Sequence, residues 1–292
     1  MLRVTDEFSP LKSVILGTGV GMKAAPTELV SATLRQTVRA GSYPAGAETE
    51  AELSAVESAL RQAGVDVLRP EALPAAPLVS DQTCPRDLGF VIDQFFFVAR
   101  SRFDSRNAEL PGLARIITRL PAENVVETPP GHYLEGGDVV LAPGHLYLGL
   151  GQRSNRTAID WLAATLAARG VQRKLVLVPH DVLHLDCCWN VLAPYLALWA
   201  PAATGQMRTL SGEAFSPPCQ CLPVSRAEQD TLTTNVLCVQ PGHILARDHP
   251  ACARVHAALR TDFGYRVTAL RFDCVPSLGG SIRCATLPLQ RS

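Results

Sequence analysis

Apolar and polar positions follow the same order four times along the chain. In each repeat two short apolar runs are separated by a tight turn, which is the pattern of a β-hairpin. The repeats begin at Phe90, Asp138, Asn190 and Asn235, so their starts are 48, 52 and 45 residues apart. A nearly constant period of this length predicts a fold built from repeated units.

Helices and a third strand complete the repeats. Apolar residues at i, i+3 and i+4 spacing predict helices at 47–64, 155–169 and 249–263. Another apolar strand follows each of these helices, and the segments LKSVILG and SIRCATLPL, from opposite halves of the chain, supply strands for a fifth unit. Each unit therefore contains two strands, a helix and a further strand.

The predicted fold class is α/β: a closed, five-bladed propeller of ββαβ units with pseudo-fivefold symmetry, forming a single domain over residues 1–292. An ordinary α/β sandwich with irregular insertions is the alternative. In a ring, strand ends meet around a central axis, so residues distant in sequence can converge. The segment 204–223 has turn residues and little periodicity, and we predict that it is a surface loop or lid.

Composition and charge narrow the class of protein. With 47% apolar residues among 292, the chain can bury a sizeable core. Lys and Arg total 27 and Asp and Glu total 27, so the net charge of zero argues against nucleic acid or an anionic membrane as a partner. The expected partner is a small molecule, and a homo-oligomer is compatible with the sequence.

Two features predict a cytoplasmic location. The segment MLRVTDEFSPLKSVILG has acidic residues where a signal peptide is basic, and no apolar run approaches the roughly 20 residues that span a bilayer. Nine cysteines are an odd number without a secretory signal, which predicts reduced thiols.

Four short strings place ionisable residues at the start of an apolar strand or after a Gly pair. They are TCPRDLGFVID with Arg86 and Asp87, HYLEGGDVVL with Glu135 and Asp138, VLHLDCCWN with His184 and Asp186, and LGGSIRCATLPLQR with Cys284. In an extended strand His184 and Asp186 point to one face, and the Gly pair before Cys284 permits a tight turn that exposes the thiol. Each string alone also fits a turn, a surface pair or a core cysteine, but together they supply a thiol, an imidazole and several carboxylates.

Metal and phosphate sites fit the sequence less well. His180 and His184 are four residues apart, as zinc ligands on a helix would be, but KLVLVP before them is typical of a strand, and Asp181 stands where a zincin has Glu. The cysteines of the CQC string at 219–221 lack C-x-x-C spacing, and GTGVG at 17–21 lacks the Gly and Lys of a phosphate loop. We therefore predict no metal and no cofactor.

The four strings, in this order and period, resemble the guanidino-group-modifying superfamily. Members of this superfamily share the five-bladed pentein fold, and they include arginine deiminases, amidinotransferases and dimethylarginine dimethylaminohydrolases. The resemblance covers Thr83 to Arg291. YLEGGDVVL, GLGQRSN, HLD and the SLGG…RCATLPLQR string are similar to arginine deiminases, whereas PRD, HLDCCWNVL and TNVLCV are also similar to glycine amidinotransferases. The chain is too short for the helical domain that arginine deiminases insert.

The resemblance implies three catalytic residues. Cys284 would be the nucleophile and His184 the general acid and base. Glu135 would bind the guanidinium or orient the histidine. A guanidinium is a planar cation with N–H donors, which suits carboxylate partners rather than an oxyanion hole.

It also implies three substrate-binding residues. Asp87 and Asp186 would each accept hydrogen bonds from guanidinium N–H groups, and Arg153, in the QRSN string, would reach a substrate carboxylate.

The leading hypothesis is deiminase-type hydrolysis of arginine or an arginine-like compound through a covalent Cys-amidino intermediate. The alternative is an amidinotransferase, in which an amine rather than water attacks the intermediate. Dimethylarginine hydrolysis ranks lower because its family carries another residue at the position of Asp186, which leaves room for N-methyl groups. An arginine dihydrolase also ranks lower, because that relative uses Asn at the position of Asp87. A non-catalytic binder of cationic metabolites is the remaining alternative.

Overall fold

The computed structural model describes residues 2–23, 25–26 and 28–292. The strands are β1 Leu11–Leu16, β2 Asp66–Leu68, β3 Gly89–Ile92, β4 Phe95–Val98, β5 Val125–Glu127, β6 Val139–Ala142, β7 His145–Leu150, β8 Lys174–Pro179, β9 Trp189–Ala193, β10 Leu196–Trp199, β11 Arg208–Thr209, β12 Gln220–Pro223, β13 Leu237–Gln240, β14 His243–Arg247, β15 Arg266–Leu270 and β16 Thr286–Arg291. The helices are α1 Ala32–Arg39, α2 Gly46–Gln62, α3 Asp104–Asn107, α4 Ala114–Ile117, α5 Arg156–Ala168, α6 Arg226–Asp230, α7 Ala253–Thr261 and α8 Cys274–Leu278.

Five small sheets share one topology. Their strand orders are β16-β1-β2, β3-β4-β5, β6-β7-β8-β11, β9-β10-β12 and β13-β14-β15. In every sheet an antiparallel pair is followed by a strand parallel to its second member. The pairing of β1 with β16, with Leu16 opposite Thr286, joins distant parts of the chain in one blade. The predicted α/β pentein fold is confirmed.

The helices predicted from apolar periodicity are present as α2, α5 and α7, with ends within a few residues of the expected ones. A Gly in a left-handed conformation follows α2 and α5, at Gly64 and Gly170, as expected for a helix end. Among the described residues, no helix combines the length and the apolar character needed to cross a membrane. All nine cysteines are described, and each is a free thiol.

The prediction of a loop over 204–223 is wrong in part. Residues 220–223 form β12, which pairs in parallel with β10 from Leu196 opposite Gln220 to Trp199 opposite Pro223. The connection from β10 contains a 3-10 turn and β11 but no α-helix. The sequence before β12 therefore has no helical periodicity to announce a following strand. Of the four residues of β12, only Leu222 is buried.

The first strands of three blades are buried along their whole length and direct site residues to one place. All residues of β3, β6 and β9 are buried, which explains their continuous apolar runs. A short 3-10 turn precedes each: Pro85–Leu88, Gly136–Asp138 and Leu185–Cys187. Consecutive turns contact one another, so side chains on or beside them come together.

Candidate active site

Four blades each contribute one site residue from the segment that leads into the first strand of the blade. Asp87 lies on the turn before β3, and Glu135 and His184 immediately precede the turns before β6 and β9. Cys284 lies in the turn before β16. Glu135 and His184 are fully buried, and Cys284 and Asp87 are 1% and 7% exposed. The repeat therefore explains how residues nearly 200 positions apart share one site.

His184 and Glu135 form a buried pair. Nε2 of His184 lies 2.7 Å from Oε2 of Glu135. Arg153 supports the carboxylate, because its Nε donates to Oε1 at 3.0 Å and its Nη2 lies 2.9 Å from Oε2. Gly137 is needed for this packing, since a Cβ there would lie 2.6 Å from Cγ of His184.

The charges of the pair determine its protonation. Burial alone lowers the pKa of His184, but the carboxylates of Asp87 and Glu135 raise it to about 10. Burial raises the pKa of Glu135, but Arg153 and His184 lower it to about 2. At neutral pH the pair is therefore imidazolium and carboxylate. Nδ1 of His184 has no hydrogen-bond partner among the described residues, so its proton is available to a ligand.

Asn235 and Asp186 surround the thiol of Cys284. The side-chain Nδ2 of Asn235 donates to Sγ at 3.1 Å, and its Oδ1 accepts the backbone N–H of Cys284 at 3.1 Å. The oxygens of Asp186 lie 3.7 and 3.8 Å from Sγ. The sequence analysis did not assign Asn235, although the TNVLCV string that contains it was part of the resemblance.

Asp87 has one free oxygen. Its Oδ2 lies 3.3 Å from Nη2 of Arg106, whereas Oδ1 has no hydrogen-bond partner within the described ranges and lies 3.8 Å from Nδ1 of His184. Arg106 also pairs with Glu109 at 2.5 Å. Arg106 is a second residue that the sequence analysis missed, because no motif surrounds it.

A cavity of about 40 Å³ lies over the thiol. Asp87, His184 and Cys284 line it together with Arg106 and Arg153, whereas Glu135 and Asp186 do not form part of its wall. This volume holds about one water molecule. Segment 30–34 covers the cavity, and Arg153 holds it through Nη1 to the carbonyl of Val30 at 3.0 Å.

Among the residues that the structure describes, two groups of three side chains have ligand atoms within 4.8 Å of one another, close enough for a metal ion. They are Asp87, Glu135 and His184, and Asp186, Cys187 and Cys284. In both groups the carboxylates already lie beside arginines. His180 does not join His184, because its Nε2 lies 2.9 Å from Asp138 and its Nδ1 lies 3.2 Å from the carbonyl of Val182. This donor set suits an organic cation.

A buried thiol, an imidazolium and carboxylates at equivalent corners of a five-bladed α/β ring define a guanidino-modifying enzyme of the pentein superfamily. Residues 31–291 match the model of the family described as N,N dimethylarginine dimethylhydrolase, eukaryotic, and the chain belongs to this family.

Relatives and solved structures agree with this assignment. The uncharacterized protein YkgA of Bacillus subtilis (strain 168) is 28% identical over 240 residues, covering 82% of this chain and 79% of that protein. An amidinotransferase of the saxitoxin biosynthetic pathway from Microseira wollei has a TM-score of 0.79 at 18% identity, covering 99% of this chain and 97% of the other. DDAH from Pseudomonas aeruginosa, a mutant solved with citrulline, has a TM-score of 0.76 at 16% identity, covering 96% and 99%. At these identities the structures show the shared fold. Membership of the family is what makes this chain an enzyme that acts on guanidino groups.

Proposed function

We propose that the protein hydrolyses the unmethylated guanidinium of arginine or an arginine-like compound, in a single catalytic domain, through a covalent intermediate on Cys284. The observation that carries this proposal is the position of Asp186, whose buried carboxylate lies 3.7 Å from the Cys284 thiol. A guanidinium placed over the thiol can donate N–H groups to Asp186 on one side and to Oδ1 of Asp87 on the other.

The chemistry follows from the protonation of the site. The bound cation favours loss of the Cys284 proton, and the thiolate attacks the central carbon to form a tetrahedral adduct. His184 donates its Nδ1 proton to the departing nitrogen, which leaves as ammonia, and an amidino group remains bonded to sulfur. Neutral His184 then accepts a proton from water as the water attacks this carbon. Collapse of the second adduct releases the ureido product and the thiolate.

Two residues support these steps. Glu135 holds the imidazole by Nε2, which leaves Nδ1 as the proton donor. Arg153 orients Glu135. Its Nη2 lies 2.9 Å from Oε2 of Glu135 but makes no hydrogen bond within the described part of the chain. Because Arg153 lines the cavity, this donor is available to a substrate carboxylate.

The preference for an unmethylated group follows from hydrogen bonding. A dimethylated nitrogen has no N–H, so it would leave either Asp186 or Asp87 without a partner. Leaving a buried acceptor unsatisfied costs about 1–3 kcal/mol. Hydrolysis of dimethylarginine is the second candidate, and the family assignment favours it.

Product analysis tests the proposal. The protein is incubated with arginine and, separately, with Nω,Nω-dimethylarginine, each with and without glycine, and Cys284→Ala serves as the control. We expect ammonia and citrulline from arginine, at a higher kcat/KM than release of dimethylamine. Faster release of dimethylamine would favour the second candidate. Ornithine that forms only when glycine is present would indicate an amidinotransferase.

A further inference from the structure

A buried series of charges connects residue 7 with the thiol. The guanidinium of Arg283, which precedes Cys284, is 1% exposed. Its Nη1 lies 2.5 Å from Oε2 of Glu7, and its Nε lies 3.3 Å from Oδ2 of Asp186. The same Asp186 oxygen lies 3.7 Å from Sγ of Cys284. One guanidinium thus bridges two carboxylates, and the second of them touches the nucleophile.

Glu7 is itself fixed by another blade. Its Oε1 accepts the backbone N–H of Leu141 in β6 at 3.1 Å and the Nη2 of Arg283 at 3.2 Å. Nη2 also donates to the carbonyl of Val139 in β6 at 3.2 Å. Both Nη groups are held in this way, and the Nε of Arg283, which makes no hydrogen bond within the described residues, forms an ion pair with Oδ2 of Asp186 at 3.3 Å.

The proposed function needs an ionised Asp186. Burial raises the pKa of Asp186, whereas Arg283, His184 and Arg86 oppose that rise. Burial also raises the pKa of Glu7, but Arg283 outweighs it and the net shift is downward. Arg283 is therefore the principal cation for both carboxylates, and its orientation controls how strongly each is stabilised.

We propose that Glu7 and Arg283 are positioning residues for the catalytic thiol: Glu7 orients the Arg283 guanidinium, and Arg283 holds the Asp186 carboxylate beside Cys284. The role of Asp186 in substrate binding rests on the proposed function. The environment of the thiol does not, because it can be measured without a substrate.

Several other groups contribute to the charge around this series, and every variant leaves them unchanged. The groups beside Asp186 and Cys284 are His184, Asp87, Arg86, Cys84 and Cys187, and those beside Glu7 are Arg86 and Arg291.

The test measures the pH dependence of Cys284 alkylation by iodoacetamide, quantified on the Cys284 peptide by mass spectrometry. Glu7→Gln removes the carboxylate that holds the Nη groups of Arg283, so Arg283 should compensate Asp186 less well and the pH midpoint should rise, in the direction of Arg283→Gln. Glu7→Asp keeps the charge and should leave the midpoint near that of the wild type. Arg283→Gln removes a positive charge and should raise the midpoint.

The matched control is Arg173→Gln. Arg173 is also a largely buried arginine that pairs with a carboxylate, lying 2.5 Å from Asp93, but it is not connected to Asp186. Its loss should lower the melting temperature without moving the alkylation midpoint. If the midpoint of Glu7→Gln falls, as the loss of a negative charge alone would make it fall, or if neither midpoint moves, the proposal is overturned.

Folding defects remain informative. If Arg283→Gln does not fold, the comparison of Glu7→Gln with Glu7→Asp decides the question. If Glu7→Gln does not fold, Arg283→Gln decides the question, and an unchanged midpoint in folded Arg283→Gln would overturn the proposal. A shifted midpoint in a protein that turns over no guanidine would leave this inference standing and refute the proposed function instead.

Discussion

Nε2 of His184 lies 2.7 Å from Oε2 of Glu135, and both side chains are fully excluded from solvent. This pair binds a proton far more tightly than a free imidazole does, because the partner carboxylate stays ionised. The Nδ1 edge, which faces Asp87 at 3.8 Å, is therefore a proton donor over the whole neutral range. The site is prepared to protonate a leaving amine before any substrate arrives.

The pH dependence of activity follows from this pair. With a His184 pKa of about 10, turnover of the guanidine should continue into alkaline solution and fall as the pH passes about 10. Stability follows the same titration. The His184 pKa is above its ordinary value of 6.5. The protonated pair therefore stabilises the folded protein fully below pH 6.5, and this contribution is lost as the pH rises to about 10.

The Glu135 pKa is below its ordinary value of 4.5, so its contribution is present above 4.5 and is lost as the pH falls toward 2. Urea denaturation from pH 2 to 10 of the wild type and Glu135→Gln measures both effects. At neutral pH, Glu135→Gln should have a lower free energy of unfolding than the wild type. The fall in that free energy between pH 6.5 and 10 should be much smaller in the variant than in the wild type. Equal pH dependence in the two proteins would show that the pair does not carry this titration.

Cys284→Ala should abolish turnover and leave folding intact. The change removes one sulfur atom beside a small cavity, so the melting temperature should stay close to that of the wild type, whereas the rate should fall to about a per cent or less. A guanidine assay with thermal denaturation of both proteins measures this. Retention of substantial activity would remove Cys284 from the role of nucleophile.

His184→Ala should retain the thiol but lose the proton donor and base that complete turnover. With an arginine analogue whose leaving group is a thiolate and needs no proton from His184, we expect an amidino adduct to accumulate on Cys284, detectable as an added mass on its peptide. An adduct on Cys187 or Cys188 would place the chemistry at another thiol.

Asp87→Asn and Asp186→Asn should each lose guanidine binding and catalysis together. A charge-assisted hydrogen bond contributes about 1.5–3 kcal/mol, so kcat/KM should fall roughly tenfold to a hundredfold or more. Asp160→Asn is the control, because its pair with Arg156 is half-exposed and should have little effect. Near-wild-type kcat/KM in both pocket variants would make these aspartates structural.

Asn235→Asp should inactivate the enzyme while preserving the shape of the side chain. It replaces the N–H donor to Sγ, at 3.1 Å, with an oxygen that repels a thiolate, so iodoacetamide should alkylate Cys284 at higher pH. Asn190→Asp is the control, since Asn190 donates to two backbone carbonyls at 2.9 Å. It should lower the melting temperature without changing alkylation.

The sequence predicted the fold well because the repeat is local. Hairpins around Phe90 and Asn235 and the helix over 155–169 depend on neighbouring residues, so their patterns survive in a single chain. β12 was missed because its unit has no α-helix between β10 and that strand, and because its pairing with β10 is a contact between separate segments.

The residues of the candidate site fall into two groups, those with a local signal in the sequence and those without one. Asp87, Glu135, His184 and Cys284 lie beside turns with recognisable strings, and the structure brings them together. Asn235, Arg106 and Arg283 act through partners 19 to 276 residues away. Such contacts depend on the closed ring, and no spacing along the chain indicates them.

The pairing of β1 with β16 also sets the order in which function can appear during synthesis. β16 and Cys284 leave the ribosome long after β1, so a nascent chain that already contains Asp87, Glu135 and His184 still has neither nucleophile nor closed ring. The ring around Asp87, Glu135 and His184 is closed only when β1 pairs with β16, which brings Leu16 opposite Thr286. Any form of the chain in which β1 and β16 are not yet paired therefore lacks the completed site.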